Sequence, residues 1–123
     1  MLSTEKFTVG SYARTYLLGI PAIKSIVGDR IYPGIAPEGT KGSFVVYERD
    51  SYEVQSTKFG IYSQEANIAY EVVTDTYDEG QTLAVLILEN LQGRHNGLQF
   101  DVVDSAEYYT EKKYRQVILF KIN

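Results

Sequence analysis

Val9, Tyr12, Ala13, Tyr16, Leu17 and Ile20 recur at i, i+3, i+4, i+7, i+8 and i+11, the spacing of one helical stripe. This predicts a helix over residues 4–18, weakened by Gly10 and stopped by Pro21, which cannot continue the hydrogen-bond ladder. Pro21 suits the first position of a second short helix over 21–27, with Ile23, Ile26 and Val27 apolar and Gly28 just past its end. Residues 30–32 read as a short strand, and Pro33, Gly34, Pro37, Gly39 and Gly42 mark a loop. The β-branched and aromatic run 43–49 reads as a strand. Residues 50–60 are polar except for Tyr52, Val54 and Phe59, which fits either a partner strand or an exposed hairpin arm. From 62 to 72, Tyr62, Ala66, Ile68, Tyr70 and Val72 alternate with polar positions, as in a strand with one face on a core.

Thr76-Tyr77-Asp78-Glu79 has the form of a capping box, with Asp78 where the helix dipole favours negative charge. Leu83, Ala84, Ile87, Leu88 and Leu91 supply the stripe, and Gly93 the stop, of a helix over 77–91. Residues 94–97 read as a turn. Leu98, Phe100 and Val102 then alternate with Gln99 and Asp101, and Tyr114, Gln116, Ile118, Phe120 and Ile122 with Arg115, Val117, Leu119 and Lys121. These two strands are expected to form a hairpin through 110–113. Strand runs interrupted by one helix predict an α+β fold, a mainly antiparallel sheet with two or three helices packed on one face. At 123 residues and 13.9 kDa the chain is expected to be a single domain over 1–123.

Composition narrows the chemistry. Hydrophobic residues make up 44% and charged residues 23%, the globular range. With no cysteine there is no disulfide framework, thiolate metal site or cysteine nucleophile, and the single His95 removes any two-histidine zinc site. The net charge of −4, with basic residues scattered, is not the footprint of a phosphate-gripping protein. The first residues lack the pattern of a signal peptide, and the longest apolar stretch, 83–88, is too short to span a bilayer. The expectation is a product made and kept inside a cell, with no membrane partner.

No motif favours an enzyme. His95, between Gly93 and Gly97, reads as an exposed turn histidine rather than a general base. Asp75, Asp78 and Glu79 lack the spacing of a calcium loop and are accounted for by capping. Asp101, Asp104, Glu107 and Glu111 read as a solvated face. There is no phosphate loop, dinucleotide fingerprint or nucleophile elbow. We therefore expect no catalytic, cofactor-binding or metal-binding residue. Eleven tyrosines remain. Tyr16, Tyr47 and Tyr70 fit core or half-buried positions, while Tyr32, Tyr52, Tyr77, Tyr108 and Tyr109 are expected in loops or strand ends, where tyrosine serves either protein contacts or the sheet's own cover.

Three stretches in order carry a resemblance. They are Ile26-Val27-Gly28-Asp29-Arg30-Ile31-Tyr32-Pro33-Gly34-Ile35-Ala36-Pro37, the strand Phe44-Val45-Val46-Tyr47, and Tyr77-Asp78-Glu79-Gly80 through Leu83-Ala84 after a long alternating strand. Together, over about residues 15–93, they resemble the tail completion (tail terminator) proteins of long-tailed bacteriophages, in the group similar to the small siphophage tail-completion protein. The resemblance implies a non-enzymatic α+β subunit of the virion tail, made in the bacterial cytoplasm. It implies assembly with itself as a hexameric ring on the tail-tube end, contact with tail-tube and head–tail connector proteins, and DNA passing through the lumen without sequence-specific binding. Residues 50–60 are longer than the family's usual connection, and Tyr52 and Phe59 are the candidate subunit-interface residues. Two other readings stand beside it: a head–tail connector stopper, and a small ligand-binding or regulatory α+β module of a bacterial cell.

Overall fold

The computed structural model describes residues 7–56 and 62–123, with side chains described for 7–49 and 66–123. Three helices, α1 (Val9–Leu18), α2 (Pro21–Val27) and α3 (Tyr77–Leu91), accompany six strands. The strands are β1 (Ile31–Pro33), β2 (Phe44–Ser56), β3 (Tyr62–Thr74), β4 (Gly93–His95), β5 (Leu98–Thr110) and β6 (Lys113–Ile122). They form one sheet in the order β1-β2-β3-β6-β5-β4. The β1–β2 pair is parallel and the other four pairs are antiparallel, so the α+β expectation holds with a mixed sheet.

One sheet face makes the core. Val45, Tyr47, Ile68, Tyr70, Val72, Phe100, Ile118, Phe120 and Ile122 are buried there with Ala13, Leu17, Ile23, Leu83, Ile87 and Leu91 from the helices. Tyr47, Tyr70, Phe120 and Phe100 form a chain of rings with centroids 5.9, 5.9 and 6.4 Å apart. Gly10 does not break α1: a Cβ there would lie 3.0 Å from a Tyr47 ring carbon, so glycine lets the helix close onto the sheet. The Tyr70 hydroxyl is buried without a hydrogen-bond partner among the described residues, and burial pushes its pKa upward. The other face carries Val46, Ala69, Val117 and Leu119, all only half-buried.

The capping assignment holds in half. The Thr76 hydroxyl accepts from the Glu79 amide at 3.2 Å, but the Glu79 carboxylate accepts from Ser43 Oγ instead of reaching back to Thr76. Glu79 thereby ties the start of α3 to the residue preceding β2. At Gly80 an added Cβ would lie 2.8 Å from Thr74 Oγ1, which itself donates to Thr76 O at 2.8 Å.

Residues 94 and 95, expected in a turn, belong with Gly93 to a strand, and 96–97 make the turn. The polar stretch after residue 49 continues β2 as far as Ser56, paired with β3 beyond a bulge between Arg49 and Ser51. The last hairpin turns on two residues, Glu111 and Lys112, both at positive φ (54° and 63°), the geometry of a tight primed turn.

Candidate functional site

β5 is two strands in one. Leu98 and Phe100 face the core and β4 flanks them, pairing only residues 98–100. A bulge between Val102 and Asp104 follows. Beyond it, residues 103–110 pair with β6 alone among the described residues, and every one is exposed. Val103, Tyr108 and Tyr109 are exposed by 53%, 45% and 59%. Val102, ahead of the bulge and paired with buried Phe120, shares the core face yet is 38% exposed.

Polar ties rather than apolar burial hold this far half. Tyr77 Oη donates to the Glu107 carboxylate at 2.9 and 3.0 Å, and Tyr108 Oη donates to Glu71 at 2.8 Å. Arg115 bridges Glu71 at 2.8 Å and Glu111 at 3.3 Å, and Lys113 pairs with Asp75. The carboxylate accepting from Tyr77 raises that phenol's pKa, and partial burial followed by the Glu71 contact raises that of Tyr108. Tyr77, Tyr109 and Tyr114 pack edge to face or tilted, with centroids 5.9 and 4.8 Å apart. They help line a recess of about 210 Å³ beside the strand.

A second pair of features lies at the β1–β2 end. Arg30 donates to Ser43 O at 2.9 Å and Ile26 O at 3.2 Å, and Arg14 donates to Ile31 O at 2.7 Å. The two guanidiniums brace the loop after β1, whose Ile35 is 82% exposed. β2 and β3 pair out to Ser56 and Tyr62, whereas β3 meets β6 only from Ala66 onward. The end of this hairpin therefore extends past the sheet as a two-stranded arm. Tyr52 lies on that arm, its backbone paired with Ala66 and its side chain outside the described residues; Phe59 lies wholly outside them.

The sequence-expected polar groups do not converge. Asp101 accepts from Gln92 and Gln99, Asp104 from the Ser105 amide, Glu107 from Tyr77, and Glu111 pairs with Arg115. His95 corrects the reading of an exposed turn. It is half-buried, stacked edge-on to Tyr16 and Phe100 at 4.7 and 5.4 Å, with Nε2 donating to Leu91 O at 3.0 Å. Its ring caps the C-terminal end of α3. Among the described residues no three His, Cys, Asp or Glu side chains gather as metal ligands. No helix among them is long and apolar enough to cross a membrane. Tyr32, Tyr77, Tyr108 and Tyr109 sit inside or at the first residue of regular elements, not in loops.

No family model matches the chain, and no curated protein does. A solved structure does: a chain of the "Virion of native gene transfer agent (GTA) particle", with a TM-score of 0.68 over 89% of both chains at 20% identity. The likeness is one of fold. At that identity, the elements and their order are what the two chains share.

Proposed function

We propose that this chain is a structural subunit of a phage-like virion, one that caps the tail tube as a ring and forms the head–tail joint. The single observation that supports the reading is the fold likeness, over nearly the full length of both chains, to a component of a gene transfer agent virion. The loop and helix strings that resemble tail terminators point the same way. In this reading the subunit is not an enzyme, its partners are copies of itself, the tail-tube protein and connector proteins, and its place is the virion tail. The β2–β3 arm crosses to the neighbouring subunit, with Tyr52 and Phe59 as anchors.

Deleting the gene from its particle-producing strain tests this. The expected result is free heads together with tails of uncontrolled length, both corrected by supplying the protein in trans. Particles unchanged by the deletion overturn the virion role. Heads that package and leak DNA beside tails of normal length favour a connector stopper instead.

A further inference from the structure

We propose that the outer edge of β5, residues 103–110, receives the outer edge of β2, residues 51–56, from a second copy of the chain, joining copies head to tail by sheet continuation. This rests on the virion-subunit reading only for its biological setting; the argument itself is geometric.

A strand edge offers backbone donors and acceptors to any chain that can lie beside it, and monomers usually blunt such edges. Here the blunting is local. Val102 N donates to Gln92 Oε1 at 2.8 Å and Ser105 N to Asp104 Oδ1 at 2.8 Å, so side chains occupy the edge around the bulge. From Ala106 to Thr110 there is no proline and no lysine, and two exposed tyrosines follow one another. The ties from Tyr77, Glu71 and Arg115 keep this stretch ordered without a neighbour, which lowers the entropic cost of docking. The 210 Å³ recess between Tyr77, Tyr109 and Tyr114 has room for one side chain of an added strand.

Strand sense selects the occupant. If β3 runs up, its antiparallel partners β2 and β6 run down and β5 runs up. Two copies in the same orientation then bring an upward β5 against a downward β2, an antiparallel pair. The open stretches sit at diagonal corners: Tyr108 is level with Arg115, Val73 and Phe44, and Phe100 is level with Ile122, Ala66 and Tyr52. Joining them slides each copy along the strands by roughly eight residues, about 26 Å at strand rise. Such a stagger is what tilts strands when a sheet closes on itself. Charge opposes the symmetric alternative. Residues 103–110 carry Asp104 and Glu107 with no basic residue, so two β5 edges meet acid to acid. Residues 51–56 carry one charge, Glu53, so the β2 edge brings one carboxylate where a second β5 edge would bring two.

The chain has no cysteine, so introduced thiols report cleanly. Ala106→Cys, Gln55→Cys and the double variant would each be treated with a short bismaleimide at high protein concentration and sized under denaturing conditions. The double variant is expected to give a ladder of multiples of the chain mass, a mixture of the two single variants dimers, and each single variant monomers. Adding Tyr109→Lys to the double variant should abolish the ladder while leaving its denaturation midpoint in place. Dimers from Ala106→Cys alone mean β5 pairs with β5 and overturn the proposal, as does a double variant that stays monomeric. A ladder from a protein absent from purified particles would sink the virion role and leave this interface standing. A protein found in tails that gives no ladder would sink only the interface.

Discussion

The two halves of β5 share one backbone and one partner strand, yet different forces hold them. Leu98 and Phe100 are buried between α3, β4 and β6, and apolar contact secures them. Past the bulge, Val103 to Thr110 are solvent-facing, and phenol–carboxylate and arginine–carboxylate contacts do the holding. Pairing with β6 continues through both halves, shifted in register at the bulge between Val102 and Asp104. Burial therefore reports what covers a strand, not whether the strand exists.

The largest expected effect contrasts the halves directly. Phe100→Ala should destabilise the domain by about 3–5 kcal/mol, because its neighbours Phe120 and His95 cannot refill the space. Tyr109→Ser should move stability by no more than about 0.5 kcal/mol. Urea melts that give the two variants similar losses would erase the distinction.

Alkaline pH sharpens it. The folded-state pKa values of Tyr47, Tyr70, Tyr77 and Tyr108 all lie above the ordinary 10.0. Below that value both folded and unfolded chains keep these protons, so stability does not change on their account. Above it the unfolded chain releases protons first, and stability falls as pH rises. Tyr70→Phe, which removes the buried phenol, should flatten this fall more than Tyr77→Phe, which removes an exposed one. Denaturation midpoints at pH 8 and pH 11 measure the difference.

Thr76→Ala should cost about 0.5–2 kcal/mol through loss of the cap to Glu79 N. Because Tyr77 follows directly and holds Glu107, the same variant should speed amide exchange in residues 103–110 more than at Phe100. The smallest effect belongs to the turn. A left-handed conformation costs an L-residue about 1–2 kcal/mol, and glycine's extra unfolded freedom returns about half of that. Lys112→Gly should therefore stabilise the far hairpin by about 0.5–1 kcal/mol, read as slower exchange there.

What could be read from the sequence follows the same division. α3 was legible because its cap, stripe and stop agree, and α2 because Pro21 fixes its start. Leu98, Phe100 and the Ile118-Phe120-Ile122 alternation marked the near hairpin correctly. The strand content of 51–56 was one of two open readings and the extent of β5 over 103–110 was hidden, since a strand without a buried face has no reason to alternate apolar with polar. β4 was hidden by its length of three residues between glycines. Tyr108 and Tyr109 were conspicuous in the sequence, but their place on an open edge depends on β4 beginning only at Gly93, opposite Phe100, a long-range fact. Gly10 misled in the other direction: a residue that lowers helix propensity is there to admit the Tyr47 ring.

The strand order also sets how the chain reaches this state. β2–β3 and β5–β6 pair strands adjacent in sequence, and hairpin formation of this kind takes about 1–10 μs. The β3–β6 pair that unites them joins residues as far apart as Ala66 and Ile122, with α3 and β4 between them. Closing that span costs loop entropy before any contact returns it, so the search for this one seam should govern the folding rate. Until it closes, each hairpin presents a second bare edge, Val72 and Tyr70 on one and Ile118 and Phe120 on the other. At high synthesis levels, the race between this internal seam and a neighbour's identical hairpin decides how much chain reaches the folded state.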